Sequence, residues 1–101
     1  MARVIWSPEA LDDLDEICRF IARDSPPASE AFARPVRAAV ARLAVFPRSG
    51  RVVPELGMGT LRELIVGSYR VIYRYSETEV EIATILHAAR PLTDMGSTEG
   101  Q

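Results

Sequence analysis

The sequence predicts an α+β domain of order β-α-α-β-β-β, a helical hairpin packed on a curved antiparallel sheet. Three observations carry this. Segments 8–23 and 26–46 repeat apolar residues at helical spacing, and each opens on a serine followed by proline. Segments 61–66, 69–75 and 80–87 are rich in β-branched and aromatic residues and are separated by turn signals. A length of 101 residues, 48% of them hydrophobic, supplies one core and is too small for two. The expected domain spans residues 1–92, followed by a flexible tail at 93–101 that has little to bury.

Taken in order, the β-branched and aromatic run Arg3–Trp6 reads as a strand that hands over directly to a helix, with Ser7 as N-cap and Pro8 at the first helical position. Leu11, Leu14, Ile17, Cys18 and Ile21 form the apolar stripe of that helix. Acids crowd its first turns and Arg19 and Arg23 its last, as the helix dipole favours. Ser25-Pro26-Pro27 repeats the start signal, and Phe32, Val36, Ala39, Val40, Leu43 and Phe46 continue a second stripe until Phe46-Pro47 closes it. Pro35 inside this helix costs ~3 kcal/mol, which predicts a kink near Ala31 or a later start. Residues 48–59, rich in Gly and Pro and without either period, read as a loop. Apolar residues occupy both parities of the last two strands, so these are central and covered on part of both faces. The expected core includes Leu14, Ile17, Ile21, Phe32, Val40, Leu43, Val71, Tyr73, Ile82 and Ile85, with Tyr69, Tyr73 and Tyr75 turned toward the helices.

The net charge of −2 hides an asymmetry: residues 1–30 hold three Arg against seven acids, 31–74 eight against two, and 75–101 one against five. All twelve basic residues are arginine. No lysine amine is available as a general base, while guanidinium forks for carboxylate or phosphate are plentiful. Cys18 is the sole cysteine, so no internal disulfide forms, and neither Cys18 nor His87 has the spacing of a zinc site. The expectation is a cytoplasmic protein without metal or cofactor. No signal-type apolar region or membrane span is expected either, since charges break every apolar stretch.

The order of elements, together with Trp6-Ser7-Pro8-Glu9-Ala10, Phe46-Pro47, Arg62-Glu63-Leu64, Tyr69-Arg70-Val71-Ile72-Tyr73-Arg74 and His87-Ala88-Ala89-Arg90, resembles the ParE/RelE superfamily of type II toxin–antitoxin toxins over residues 3–92, and is closer to ParE. The resemblance implies a toxin neutralised by a cognate antitoxin, ParD-like or another small protein, with operator DNA reached only through the complex. ParE-like members poison DNA gyrase; RelE-like members cleave messenger RNA on the ribosome. Arg70 and Arg90 match positions that are arginine in the nucleases, yet the chain has no lysine and no tyrosine after Tyr75. His87 precedes Arg90, whereas the histidine base of the nucleases lies beyond the matching arginine.

Chemistry points the same way. RNA cleavage by the 2′-hydroxyl needs a base, a donor for the leaving oxygen and charge stabilisation, and arginine supplies only the last. Glu63 or His87 could in principle act as base, so an endoribonuclease remains the alternative, and a degenerate member that only binds antitoxin is the third reading. The expected target-binding residues are Arg70, His87, Arg90 and Leu92, with Arg62 and Arg74 as secondary candidates and no catalytic residue assigned. Arg70 and Arg74 share a strand face. Each could instead pair with Glu63, Glu79 or Glu81. The ion pair is the preferred reading for Arg74 and the binding role for Arg70, because only Arg70 gains from the resemblance. Arg37, Arg42, Arg48 and Arg51 read as solvated charges.

Overall fold

A computed structural model of the chain describes residues 1–56 and 59–92. Its elements are β1 (Arg3–Trp6), α1 (Pro8–Ala22), α2 (Pro26–Arg42), β2 (Arg51–Val52), β3 (Leu61–Val66), β4 (Tyr69–Tyr75) and β5 (Glu79–His87). The expected tail at 93–101 lies outside the described residues.

Two helices pack on a five-stranded mixed sheet of order β1-β5-β4-β3-β2. The expected antiparallel ladder holds for β2 to β5, but β1 joins the far edge parallel to β5, with Arg3 opposite Glu79 and Trp6 opposite Ile82. The helical hairpin between β1 and the remaining strands makes this possible, since a parallel neighbour needs a long crossover. β2 is a further addition, two residues within the expected loop that pair with Arg62 and Glu63. The β3–β4 turn places Gly67 at φ 59°, with no positive φ at Ser68, the pattern of a two-residue II′ hairpin.

Both helices start as their caps dictate, Ser7 accepting from the Ala10 amide at 3.0 Å and Ser25 from the Ala28 amide at 3.2 Å. Helix α2 runs through Pro35, whose missing donor removes the bond to the carbonyl of Ala31, a residue on the exposed side of the helix. The helix ends at Arg42, with Leu43 as C-cap, four residues before the expected 46. The amide of Ala2 bonds the Ala44 carbonyl at 2.8 Å, which ties the chain after the helix to the start of β1 and turns Phe46 outward. Where β1 stops, α1 satisfies the exposed edge of β5: Ser7 Oγ donates to the Ala83 carbonyl, and Asp13 Oδ2 accepts from Thr84 Oγ1 at 2.5 Å and the Ile85 amide at 3.0 Å.

Between sheet and helices lies the main core, in which Ala10, Leu14, Val36, Val40, Leu43, Val71, Tyr73, Val80, Ile82 and Ile85 are buried. Ile17, Cys18, Phe32, Tyr69 and Tyr75 pack against it while half-buried, and Ile21 is half-buried. The second face of the sheet carries its own cluster of Val53, Leu61, Ile72, Leu86 and Leu92. Alternation along β4 gives Val71 and Tyr73 to the first cluster and Ile72 to the second, while a register shift at Ile72/Tyr73 leaves Ala83 of β5 unpaired and so brings both Ile82 and Ile85 to the first. Among the described residues no helix is long and apolar enough to cross a membrane.

Candidate functional site

The second face is where the predicted arginines meet their partners. Pairing of β2, β3 and β4 brings Arg51, Glu63 and Arg70 to this side of the sheet. Glu63 is fully buried and accepts from Arg51 Nε on one oxygen and from Arg70 Nε at 2.6 Å on the other. The turn after β2 adds Glu55, which takes Arg70 Nη1 at 2.7 Å and Nη2 at 2.8 Å in the fork geometry that guanidinium and carboxylate share. Two further bonds reach the C-terminal segment: Arg70 Nη1 donates to the Arg90 carbonyl at 2.9 Å, and Glu55 Oε2 accepts from the Leu92 amide at 2.9 Å. Leu92 then inserts its side chain into the second apolar cluster.

Electrostatics follow from this geometry. The hydrogen bond from Arg70, with the Leu92 amide behind it, holds the Glu55 carboxyl down at about 2. Glu55 and then Glu63 raise the Arg70 guanidinium further above its ordinary value, against the opposing effect of burial. Burying Glu63 and Arg70 is costly in itself, and full hydrogen bonding, with the exposed Glu55 closing the fork, is what makes it tolerable. No buried side-chain nitrogen or oxygen among the described residues lacks a partner.

Arg70 is therefore only 5% exposed and does not present its guanidinium to solvent; the ion pair that the sequence offered as its alternative is formed. Leu92 is likewise turned inward. His87 and Arg90 are exposed, side by side at the end of β5. Nδ1 of His87 accepts from the Ala89 amide at 3.1 Å and its ring meets Tyr69 edge-on at 5.6 Å. Arg74 pairs with Glu81 at 3.3 Å on the surface, as preferred for it. Arg62 stands on the other face of β3, donating to the carbonyls of Arg48, Gly50 and Gly59, and so joins no common surface with Arg70 and Arg74. Arg51, read as a solvated charge, is a partner of buried Glu63.

Glu55 escaped the sequence reading because it lies in a loop without period, and no local signal places it against Arg70. Chemically, Glu63 is sealed between two guanidinium groups and offers no oxygen to a substrate. Among the described residues no three His, Cys, Asp or Glu side chains converge in a way that could hold a metal. The arrangement fixes a short exposed ridge, residues 87–90, by an ionic clamp beneath it.

Comparison with known proteins places this geometry in context. The family described as the ParE toxin of the type II toxin–antitoxin system parDE matches residues 4–92. A curated relative, Toxin RelE2 of Caulobacter vibrioides, is 40% identical over 91 residues, covering 89% of this chain and 99% of its own. Among solved structures, the chromosomal ParDE system of P. aeruginosa aligns with a TM-score of 0.70 at 20% identity, over 86% of this chain and 96% of that one. The toxin–antitoxin complex RelBE2 of Mycobacterium tuberculosis aligns at 0.52 and 23% identity, over 88% and 93%. At such identities the solved structures speak for the fold.

Proposed function

The chain belongs to the ParE toxin family of type II toxin–antitoxin systems, within the ParE/RelE superfamily, and from that premise we propose that it inhibits DNA gyrase by protein contact in the cytoplasm and is neutralised by a cognate antitoxin. The observation that supports this most is the state of Arg70: its guanidinium is spent on Glu55, Glu63 and the Arg90 carbonyl, so it positions and does not act on a substrate. Contact falls to the ridge above the clamp, where His87 and Arg90 are exposed. A ridge whose backbone is anchored at the Arg90 carbonyl and the Leu92 amide is suited to binding a folded target, because less loop ordering is left for association to offset. The antitoxin reading is supported by the two structural neighbours, both titled as toxin–antitoxin assemblies.

A second reading, ribosome-dependent cleavage of messenger RNA, is favoured by the name of the relative called Toxin RelE2 and by the exposed His87 imidazole near Arg90. Induction of the chain without its antitoxin separates the two. Gyrase reading: supercoiling by purified gyrase falls with added toxin, messenger RNA stays intact, and Arg90→Ala relieves growth inhibition without altering the melting temperature. Messenger RNA cuts that appear on induction and vanish in Arg90→Ala or His87→Ala overturn it in favour of the ribonuclease.

A further inference from the structure

A cavity lies at the opposite end of the sheet from the ridge and has no part in the clamp. It is a cavity of ≈ 670 Å³ lined chiefly by Phe46, Pro47, Arg48, Thr60, Tyr75 and Glu77, within the size range of pockets that accept a ligand or a large side chain. Phe46 is 62% exposed at its edge and Val45 54%. Apolar surface of this kind, presented together with an apolar hollow, marks an interaction site on a small domain.

The hollow is held open by its own wall. Tyr73 Oη donates to the Pro47 carbonyl at 2.7 Å and accepts from the Gly50 amide at 2.9 Å, while Arg62 donates to the carbonyls of Arg48 and Gly50. Gly50 is pressed so close to the sheet that a Cβ there would stand 2.6 Å from the Glu63 carbonyl. A loop fixed by these bonds cannot fold Phe46 back into the core.

The rim specifies the charge of the occupant. Arg48 and Arg62 flank the Tyr75 ring at 5.9 and 5.5 Å, and their hydrogen-bond acceptors and ring contacts are all neutral. No carboxylate of the described residues pairs with either. Glu77 is the one acidic residue of the lining, so two guanidinium groups against a single carboxylate leave the rim positive. Resting on the toxin–antitoxin reading above, we infer that this cavity seats a large apolar side chain carried on an acidic segment of the antitoxin, the carboxylates meeting Arg48 and Arg62 and the apolar group lying on Phe46 and Tyr75.

The test is an amide-resolved NMR titration of the full chain with a short peptide of Glu, Asp and Ser carrying two central leucines. Expected are shifts confined to residues 45–49, 60 and 75–77, weakened about tenfold by leucine-to-alanine replacement in the peptide and similarly by Arg48→Ala or Phe46→Ser. Both positions are exposed, so unchanged melting temperatures show that the variants still fold. The inference is overturned by equal shifts with the alanine peptide, or by shifts confined to a separate hollow between β1 and the helices, lined by Trp6, Leu11 and Arg37 among others. Silence at the cavity at millimolar peptide overturns it too, as does an oligouridylate that shifts these residues when the peptide does not. A chain bound here that leaves gyrase untouched loses the proposed target and keeps the seat; one that inhibits gyrase with an unbound cavity loses the seat alone.

Discussion

On the helix side of the sheet Val71, Tyr73, Ile82 and Ile85 meet Leu14, Val36, Val40 and Leu43, whereas on the far side Glu63 and Arg70 stand buried among Leu61, Ile72, Leu86 and Leu92. The first face is held by burial of apolar area, which is non-directional and indifferent to pH. The second is held by a few directed, charged contacts in addition to a small apolar cluster. Oil packs elements together but does not aim a terminal segment; a forked guanidinium bonded to the Arg90 carbonyl does. The difference teaches why the backbone after β5 is anchored from the ionic side, although the side chains of His87 and Arg90 lie toward Asp13, Glu16 and Tyr69 at the helix side.

The comparison can be broken most severely at Arg70. Arg70→Ala leaves Glu63 buried with only Arg51 for company, and removal of one partner from a buried pair costs about 3–5 kcal/mol. Chemical denaturation should show that loss; an Arg70→Ala variant as stable as the parent would mean that the second face contributes nothing. Leu43→Ala addresses the other face. Leu43 is fully buried, and such truncations cost ~2–5 kcal/mol, so its midpoint should fall by a comparable amount, with no change in the pH dependence of stability.

Acid distinguishes the faces more finely. Glu55 titrates at about 2 in the folded chain against an ordinary 4.5, so its stabilisation is present above the unfolded value and is lost as pH falls from there through about 2. Glu55 is open to solvent, so screening keeps the loss well below what a sealed pair would show. Denaturation curves from neutral to acid pH should therefore lose stability more steeply in the parent than in Glu55→Gln, and parallel curves would remove Glu55 from the clamp. The smallest effect is expected at Arg74→Ala, whose exposed pair with Glu81 is worth about 0–1 kcal/mol and should be weakened by salt.

Much of the helix face was legible in the sequence. Period, Ser-Pro caps and the Leu14–Val40–Leu43 stripe determine both helices, because these signals act between residues one turn apart. Phe46 kept the same period and was still misplaced, since the helix tightens into i→i−3 bonds after Arg42 and Ala44 is then tied to distant Ala2, a contact that no local pattern encodes. The parallel placement of β1 and the two residues of β2 were hidden for the same reason. On the ionic face, Glu63 could be named as a partner because it lies on a neighbouring strand at matching parity. Glu55 could not: a loop residue's partner is set by the tertiary path of the chain, here from the turn after β2 to the middle of the sheet.

The position of β5 has a consequence for how the molecule comes into being. This strand is the last in sequence and yet lies second in the sheet, bonded on one side to β4 and on the other to β1, with Arg3 paired to Glu79. Contacts of such sequence separation are entropically late to close, and they slow folding relative to locally connected bundles of the same size. A chain interrupted before Glu79 has two helices and a hairpin but no strand to join β4 to β1, and its main core lacks Val80, Ile82 and Ile85. Translation products that stop short are thus left without a closed sheet, and the finished architecture arises only when nearly all of these residues have been synthesised.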